Sequence, residues 1–228
     1  MTIRKLVLFD IDGTLIQSKG AARAAKAQAI EDVYGIALDL SQHHFGGKTD
    51  WQILREALAI YDISSAEIGQ QMPRYEQAFA SRLRERIGDF EIKPCPGAAE
   101  VVTILDQQED VLVGLVTGNT SLTAPVKLQA AGFDMRLFPV GAYGSEAESR
   151  NDLPRIALER ANVLAQGVLQ PQDVIVIGDT VADVECARAV GAVAVTVFTG
   201  YESRENLIKA TPDYLLDDLT QFLAQVPL

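Results

Sequence analysis

A chain of 228 residues exceeds the usual length of one domain and falls short of two full ones, a size that suits a core carrying a smaller appendage. Its 31 acidic against 20 basic residues give a formal charge of −11, which argues against a nucleic-acid binder or a protein drawn to an anionic membrane, and means that an anionic small-molecule substrate would need a local positive site. Apolar runs such as VLVGLV are far shorter than the roughly 20 residues of a membrane span, the first one stops at Asp10 without forming a secretory signal, and the widely separated Cys95 and Cys186 read as free thiols of a cytoplasmic protein.

In chain order, the first predicted element is a strand, KLVLFD, from Lys5 to Asp10. From Ser18 to Ile92 every pattern is helical. An Ala-rich helix runs from Lys19 to Tyr34 and is closed by Gly35. A second starts at TDWQ, where Thr49 and Gln52 have capping-box spacing, and continues through Ile53, Leu54, Ala57 and Leu58. A third opens at SSAE, with Ser64 and Glu67 in the same relation, breaks at Pro73, and resumes through Phe79, Leu83 and Ile87 to Gly88. Residues 17–91 therefore form an all-helical cap, large enough to be a lid, and IKPCPGAAE is the hinge back into a core made of residues 1–16 and 92–228.

Past the hinge, the strands VLVGLVTG (Val111 to Gly118), LFPVGAYG (Leu137 to Gly144), DVIVIGD (Asp173 to Asp179) and AVAVTVF (Ala192 to Phe198) alternate with helical patterns. Those patterns are carried by Ala98, Val101, Val102 and Leu105, by Ile156, Ala157 and Ala161, and by Val184, Ala187 and Val190. Nearly continuous hydrophobicity suits a parallel strand covered on both faces, and the alternation predicts a doubly wound, Rossmann-like, mostly parallel α/β sheet. Such sheets bind ligands beyond the carboxyl ends of their strands.

The unusual polar residues fall at those ends. Asp10 and Asp12 stand two positions apart, so within a strand they would face the same way and repel each other. Either the strand has ended or a cation sits between them. TGN (Thr117 to Asn119) and GDTVAD (Gly178 to Asp183) end two other strands. Four acids, a hydroxyl and several glycine amides brought together there would form a site for a hard cation and a phosphate. Taken singly, each has a plainer reading: Asp12 in a turn, Asp179 and Asp183 at a helix start. His43 and His44 read as surface or cap-packing residues and Trp51 as cap core.

In the order and spacing of DIDGTL, TGN and GDTVAD the chain resembles the haloacid dehalogenase superfamily, specifically its phosphatases with a helical cap inserted after the first strand, and it does so over essentially its whole length. The resemblance implies that Asp10 is a nucleophile forming an aspartyl-phosphate. Asp12 is then the general acid and, in turn, the general base, with its backbone carbonyl reaching Mg²⁺. Asp179 is a second carboxylate ligand, and Asp183 is either a ligand or an acceptor for metal-bound water, so the metal set is Asp10, Asp12, Asp179 and Asp183. Mg²⁺ would screen the nucleophile from the substrate's negative charge. Thr117 and Gly118, with Asn119 beside them, match the group that holds the phosphoryl oxygens.

The usual motif lysine is missing. Around its place stands SRNDLPRIALER, and Arg150 is assigned the clamp on phosphoryl and nucleophile charge, with Lys127 as the rival. In the cap, FGGKTD combines mobile glycine backbone, a cation and a helix start, which suits an anion contacted from above by Gly47, Lys48 and Thr49. Lys48 is the cation best placed for a second anionic group on the substrate, and Thr49 also caps a helix. The phosphoglycolate phosphatase type looks nearest: a Mg²⁺-dependent hydrolase of a small phosphomonoester, monomeric or a small homo-oligomer. The β-phosphoglucomutase type keeps both aspartates but usually carries a histidine in the first cap helix, and Lys19 to Lys26 has none. A phospho-ligand-binding regulatory protein is the third reading, and the complete acid set disfavours it.

Overall fold

Residues 2–18 and 20–228 are described by the computed structural model. Strand β1 (Lys5–Phe9) sends Leu6 and Leu8 into one apolar cluster and Val7 and Phe9 into another, all fully buried. A strand apolar on both faces must be covered on both, which places β1 inside the sheet. A two-residue strand, β2 (Ile16–Gln17), follows, and then three helices, α1 (Ala21–Tyr34), α2 (Asp50–Leu58) and α3 (Ser65–Arg86). Strand β3 (Lys93–Pro94) returns to pair antiparallel with β2. The rest alternates: α4 (Ala98–Asp106), β4 (Val111–Thr117), α5 (Thr123–Ala130), β5 (Val140–Tyr143), α6 (Leu153–Ala165), β6 (Val174–Gly178), α7 (Val181–Val190), β7 (Val193–Val197), α8 (Arg204–Lys209), β8 (Tyr214–Leu216) and α9 (Phe222–Gln225).

All strands but β2 and β3 form one parallel sheet in the order β5-β4-β1-β6-β7-β8. The chain winds outward from β1 through β4 to β5, then crosses back and winds the other way through β6, so the two directions diverge at β1, where such sheets open a crevice. Register brings the strand ends level: Phe9 pairs with both Leu115 and Ile177. Asp10, Thr117 and Asp179 consequently emerge along one edge. Helix α6 covers the face that carries Leu6 and Leu8, and α4 covers the other. Cutting Leu8 to Ala in such a centre costs about 2–5 kcal/mol.

The three helices after β2 share a separate apolar cluster. Ala25, Ala29 and Ile30 of α1 meet Leu54 and Leu58 of α2 and Tyr75, Phe79 and Leu83 of α3. Ser64 and Thr49 cap α3 and α2, their hydroxyls accepting from the N–H groups of Glu67 (3.2 Å) and Gln52 (3.0 Å).

Some details differ from the sequence pattern. Helix α3 runs unbroken through Pro73, which lies on its exposed side, where water can serve the carbonyl that the missing N–H leaves unpaired. Strand β5 begins only at Val140, because Met135–Leu137 forms a 3₁₀ turn capped by the Asp134 side chain accepting from the Arg136 N–H (2.9 Å). Strand β8 was not signalled by the pattern: it has three residues and lies at the sheet edge. Lys19, where the sequence starts its first helix, lies outside the described residues.

Candidate active site

Asp10 directly follows β1, and its N–H still donates to the Ile177 carbonyl (2.9 Å). Its buried side chain faces a cavity of about 480 Å³ roofed by α1 and the loop before α2. The strand has therefore ended before the second acid. The N–H groups of Leu15 and Ile16 both donate to the Ile11 carbonyl (2.9 Å each), and this turn swings Asp12 to the same cavity. Asp12 accepts from Ser18 Oγ (2.5 Å), Asn119 Nδ2 (2.8 Å) and Lys127 Nζ (2.6 Å). Burial pushes its carboxyl up, but the Lys127 charge and these hydrogen bonds outweigh that and hold it below the usual range.

Asp10, Asp179 and Asp183 each place a carboxylate oxygen within 4.8 Å of the others, all three buried. Burial, opposed by Arg150, pushes Asp10 up to about 6, and burial with the charges of Asp10 and Asp183 pushes Asp179 well above its ordinary range. Thr14 Oγ1 donates to Asp179 Oδ1 (3.1 Å). Asp183 is committed elsewhere: Oδ2 accepts from the N–H (3.0 Å) and Oγ1 (2.6 Å) of Thr180, capping α7, and Oδ1 accepts from Arg150 Nη2 (2.5 Å). Gly178 and Gly200 crowd this cluster. A methyl group on the first would overlap Asp183, and on the second Asp179. A buried set of carboxylate oxygens under mutual repulsion, cradled this closely, fits a hard divalent cation such as Mg²⁺.

Arg150 reaches the site from a 3₁₀ turn, Arg150–Asp152, after β5. Nη2 lies 3.1 Å from Asp10 Oδ1 as well, and Nη1 stands 3.2 Å from where a Cβ on Gly118 would be. Burial opposes the guanidinium charge, but Asp183 and Asp10 keep it protonated. Its Nε is buried with no partner among the described residues. Lys127, the rival for this role, is at a different post: Nζ donates to Asp12 and to Asn119 Oδ1 (2.6 Å each). Thr117 Oγ1 accepts from Asn119 Nδ2 (2.9 Å), and Thr117, Gly118 and Asn119 all line the cavity.

From the cap, the loop FGGKTD is seated on the core. Gly47 at φ +71° packs where a Cβ would meet Ala182 at 2.8 Å. The Lys48 carbonyl abuts Gly118, Asp50 N–H donates to Gly118 O (2.8 Å), and Trp51 N–H donates to Gly144 O (3.0 Å). Gly47 and Lys48 line the cavity, and the Lys48 ammonium lies 2.5 Å from Glu56. Thr49 does not line it: its fully buried hydroxyl donates to Glu148 O (2.9 Å) while accepting from Gln52 N–H. His44 lines the cavity, whereas His43 stacks on Phe45 with ring centroids 5.8 Å apart.

Sequence reasoning missed several lining residues. Lys26 and Arg23 sit among the alanines of α1, where a lone cation reads as solvated surface. Asp50 reads as a first-turn acid of α2, yet pairs with Lys26. Tyr201 and Glu202 line the cavity shortly after a strand end, the one signal that could have found them.

Residues 4–191 match a hydrolase family described as haloacid dehalogenase-like hydrolase. The chain is 29% identical over 226 residues to a phosphoglycolate phosphatase of Synechococcus elongatus, covering 96% of this chain and 97% of that one. It is 30% identical over 207 residues to one of Chromobacterium violaceum, covering 89% of each. Among solved structures, a hydrolase from Pseudomonas syringae shares the fold with a TM-score of 0.69 at 24% identity, over 99% of this chain and 98% of that one.

Proposed function

This chain belongs to the haloacid dehalogenase-like hydrolase family, and from that premise we propose that it is a Mg²⁺-dependent phosphatase of small phosphomonoesters, with phosphoglycolate, the substrate in its relatives' names, foremost. The observation that carries this reading is the constellation at the cavity floor: Asp10 against the Arg150 guanidinium at 3.1 Å, with Thr117 and Gly118 beside them. An Asp10 oxygen attacks phosphorus and the ester oxygen leaves with a proton that Asp12 relays to it from water or from the substrate's monoanion, Asp12 returning to its carboxylate. In the second half, Asp12 takes a proton from water as that water attacks the acyl-phosphate and regenerates Asp10. Arg150, permanently charged, faces the charge that builds on the equatorial phosphoryl oxygens. The Thr117 hydroxyl and Gly118 amide orient the same oxygens, and Lys127 with Asn119 holds Asp12 in line.

Asp10, the Asp12 carbonyl and Asp179 would hold Mg²⁺, with Asp183 as an outer acceptor, since both of its oxygens already have partners. When bound, the ion offsets the repulsion between Asp10 and a phosphate dianion. Residues 17–91 are the cap in this reading, supported by the separate apolar cluster of α1, α2 and α3 and by the β2–β3 pairing across the two crossing points. Among the described residues no helix is long and apolar enough to cross a membrane. The buried free thiols Cys95 and Cys186 suit a cytoplasmic setting.

The test is a panel of phosphoglycolate and sugar phosphates assayed with Mg²⁺ and with chelator. Release of inorganic phosphate that depends on Mg²⁺ is the expected result. Isomer conversion without net release, or binding without turnover, would overturn it.

A further inference from the structure

Lys26 of α1 is 4% exposed and lines the roof of the cavity. A buried ammonium is costly unless paired, and Asp50 pairs with it. The pairing is incomplete on both sides. Asp50 Oδ2 also accepts from the core N–H of Thr120 (3.1 Å), so its charge is shared. The ammonium has three donors, and Asp50 is its one hydrogen-bond acceptor among the described residues. The faces of Phe45 and Phe79, with centroids 5.0 and 5.1 Å from Nζ, flank the ammonium and offer it no further hydrogen-bond acceptor.

The other cations of the cavity are committed. Arg23 donates to the carbonyls of Leu40 and His43 and lies over the Phe45 ring at 4.5 Å. Lys48 is held by Glu56, Lys127 by Asp12 and Asn119, and Arg150 by Asp10 and Asp183. Lys26 alone among them joins deep burial, open donor capacity and a place opposite the phosphate floor. Lys26 shares one cavity with Asp10, Asp12 and Arg150, and burial together with the Lys127 charge pushes its ammonium well below the ordinary range, a cost that an arriving anion would offset.

We propose that Lys26 binds the carboxylate of the substrate and so selects a carboxylated phosphomonoester over an uncharged one, the role that sequence alone gave to Lys48. This rests on the phosphatase reading for the substrate class but not for its test. Phosphonoacetate and ethylphosphonate differ in that carboxylate and cannot be hydrolysed as esters, so calorimetry with Mg²⁺ present measures the selectivity without turnover.

The wild type should bind phosphonoacetate more tightly, and Lys26→Met should reduce the ratio of the two affinities by about 10- to 100-fold, the effect of losing one charge-assisted hydrogen bond. Lys26→Arg should recover part of it. Because Lys26→Met strands a buried carboxylate, the paired variant Lys26→Met/Asp50→Asn removes both charges together and should show the same loss. A wild type without preference, or a ratio within about threefold of wild type in either folded variant, would overturn the assignment. Failure of the phosphatase reading would look different: no phosphate released from phosphoglycolate, with the binding ratio still answering to Lys26.

Discussion

Arg150 Nη2 lies 3.1 Å from Asp10 Oδ1 and 2.5 Å from Asp183 Oδ1, so a single guanidinium ties the proposed nucleophile to the first turn of α7. Both contacts are made by that one nitrogen, which leaves Nη1, beside Gly118, to meet a phosphoryl oxygen, a second donor in a fixed plane that a lysine lacks. Arg150→Ala should lower kcat on the order of 10²-fold or more, as loss of one transition-state donor does. Arg150→Lys should regain part of that. Steady-state rates equal to wild type in Arg150→Ala would remove it from the clamp.

The two opening acids should fail differently. Asp10→Asn removes the attacking oxygen at a position where the amide fits the same space, so turnover should vanish with the fold retained. Asp12→Ala leaves attack possible on 4-nitrophenyl phosphate, whose leaving group needs little protonation, but slows hydrolysis of the intermediate. Acid-quenched Asp12→Ala should therefore carry phosphate on Asp10, detectable by mass spectrometry. Near-wild-type turnover in Asp10→Asn would sink the covalent mechanism.

The acids were legible in the sequence because chemistry and topology coincide there: a carboxylate at the end of an apolar run violates the pattern, and strands in parallel bring such ends to one edge. The core strands were legible for the same reason, since Leu6 to Phe9 must be buried on both faces. Lys26 was not legible, because burial of a helical lysine depends on how α1 packs against α3 and no local signal carries that. Thr49 and Lys48 were legible only in part. The spacing of Thr49 and Gln52 announced the cap of α2, and only tertiary structure shows that the Thr49 hydroxyl is fully committed and that the Lys48 ammonium turns to Glu56. Pro73 marked a helix break that exposure made unnecessary.

Asp10 makes the chelated protein sensitive to pH in a defined direction. Its folded value of about 6 stands above the ordinary 3.8, so the native state holds a proton that the unfolded chain has released across that window. Its stabilising contribution is complete below about pH 4 and is lost as pH rises through about 6, on the order of 3 kcal/mol at most. Asp179 moves the same way. In chelator, the urea midpoint of wild type relative to that of Asp10→Asn should fall from pH 4 to 7, since the carboxylates held low, Asp12 among them, act alike in both proteins, and Mg²⁺ should flatten the wild-type decline by binding the ionised set. A flat difference between the two proteins in chelator would contradict the burial of this charge.

Gly200 tests the cradle under Asp179. The loop is pinned where Thr199 Oγ1 donates to Gly13 O (2.5 Å), so a methyl at Gly200 must displace the carboxylate and not the backbone. Gly200→Ala should raise the Mg²⁺ concentration for half-activation by about 10- to 100-fold, the range seen when a group supporting a metal ligand is lost. Unchanged Mg²⁺ dependence would place the ion elsewhere.

Lys127 and Asp12 supply the last test. The second half-reaction needs Asp12 as a carboxylate, and Lys127, 2.6 Å away, is the strongest influence keeping it one against burial. With that ammonium gone, burial prevails and the Asp12 carboxyl rises. Decay of preformed phosphoenzyme should then lose its rate at higher pH in Lys127→Met than in wild type, with the acid limb displaced upward. Lys127→Arg should restore the limb if charge is what matters, and leave it displaced if shape is. An acid limb that stays in place in Lys127→Met would mean that Asp12 is not the base for that step, or that Ser18 and Asn119 alone hold it ionised. Titrating Ser18→Ala and Asn119→Ala variants in the Lys127→Met background would separate those two outcomes.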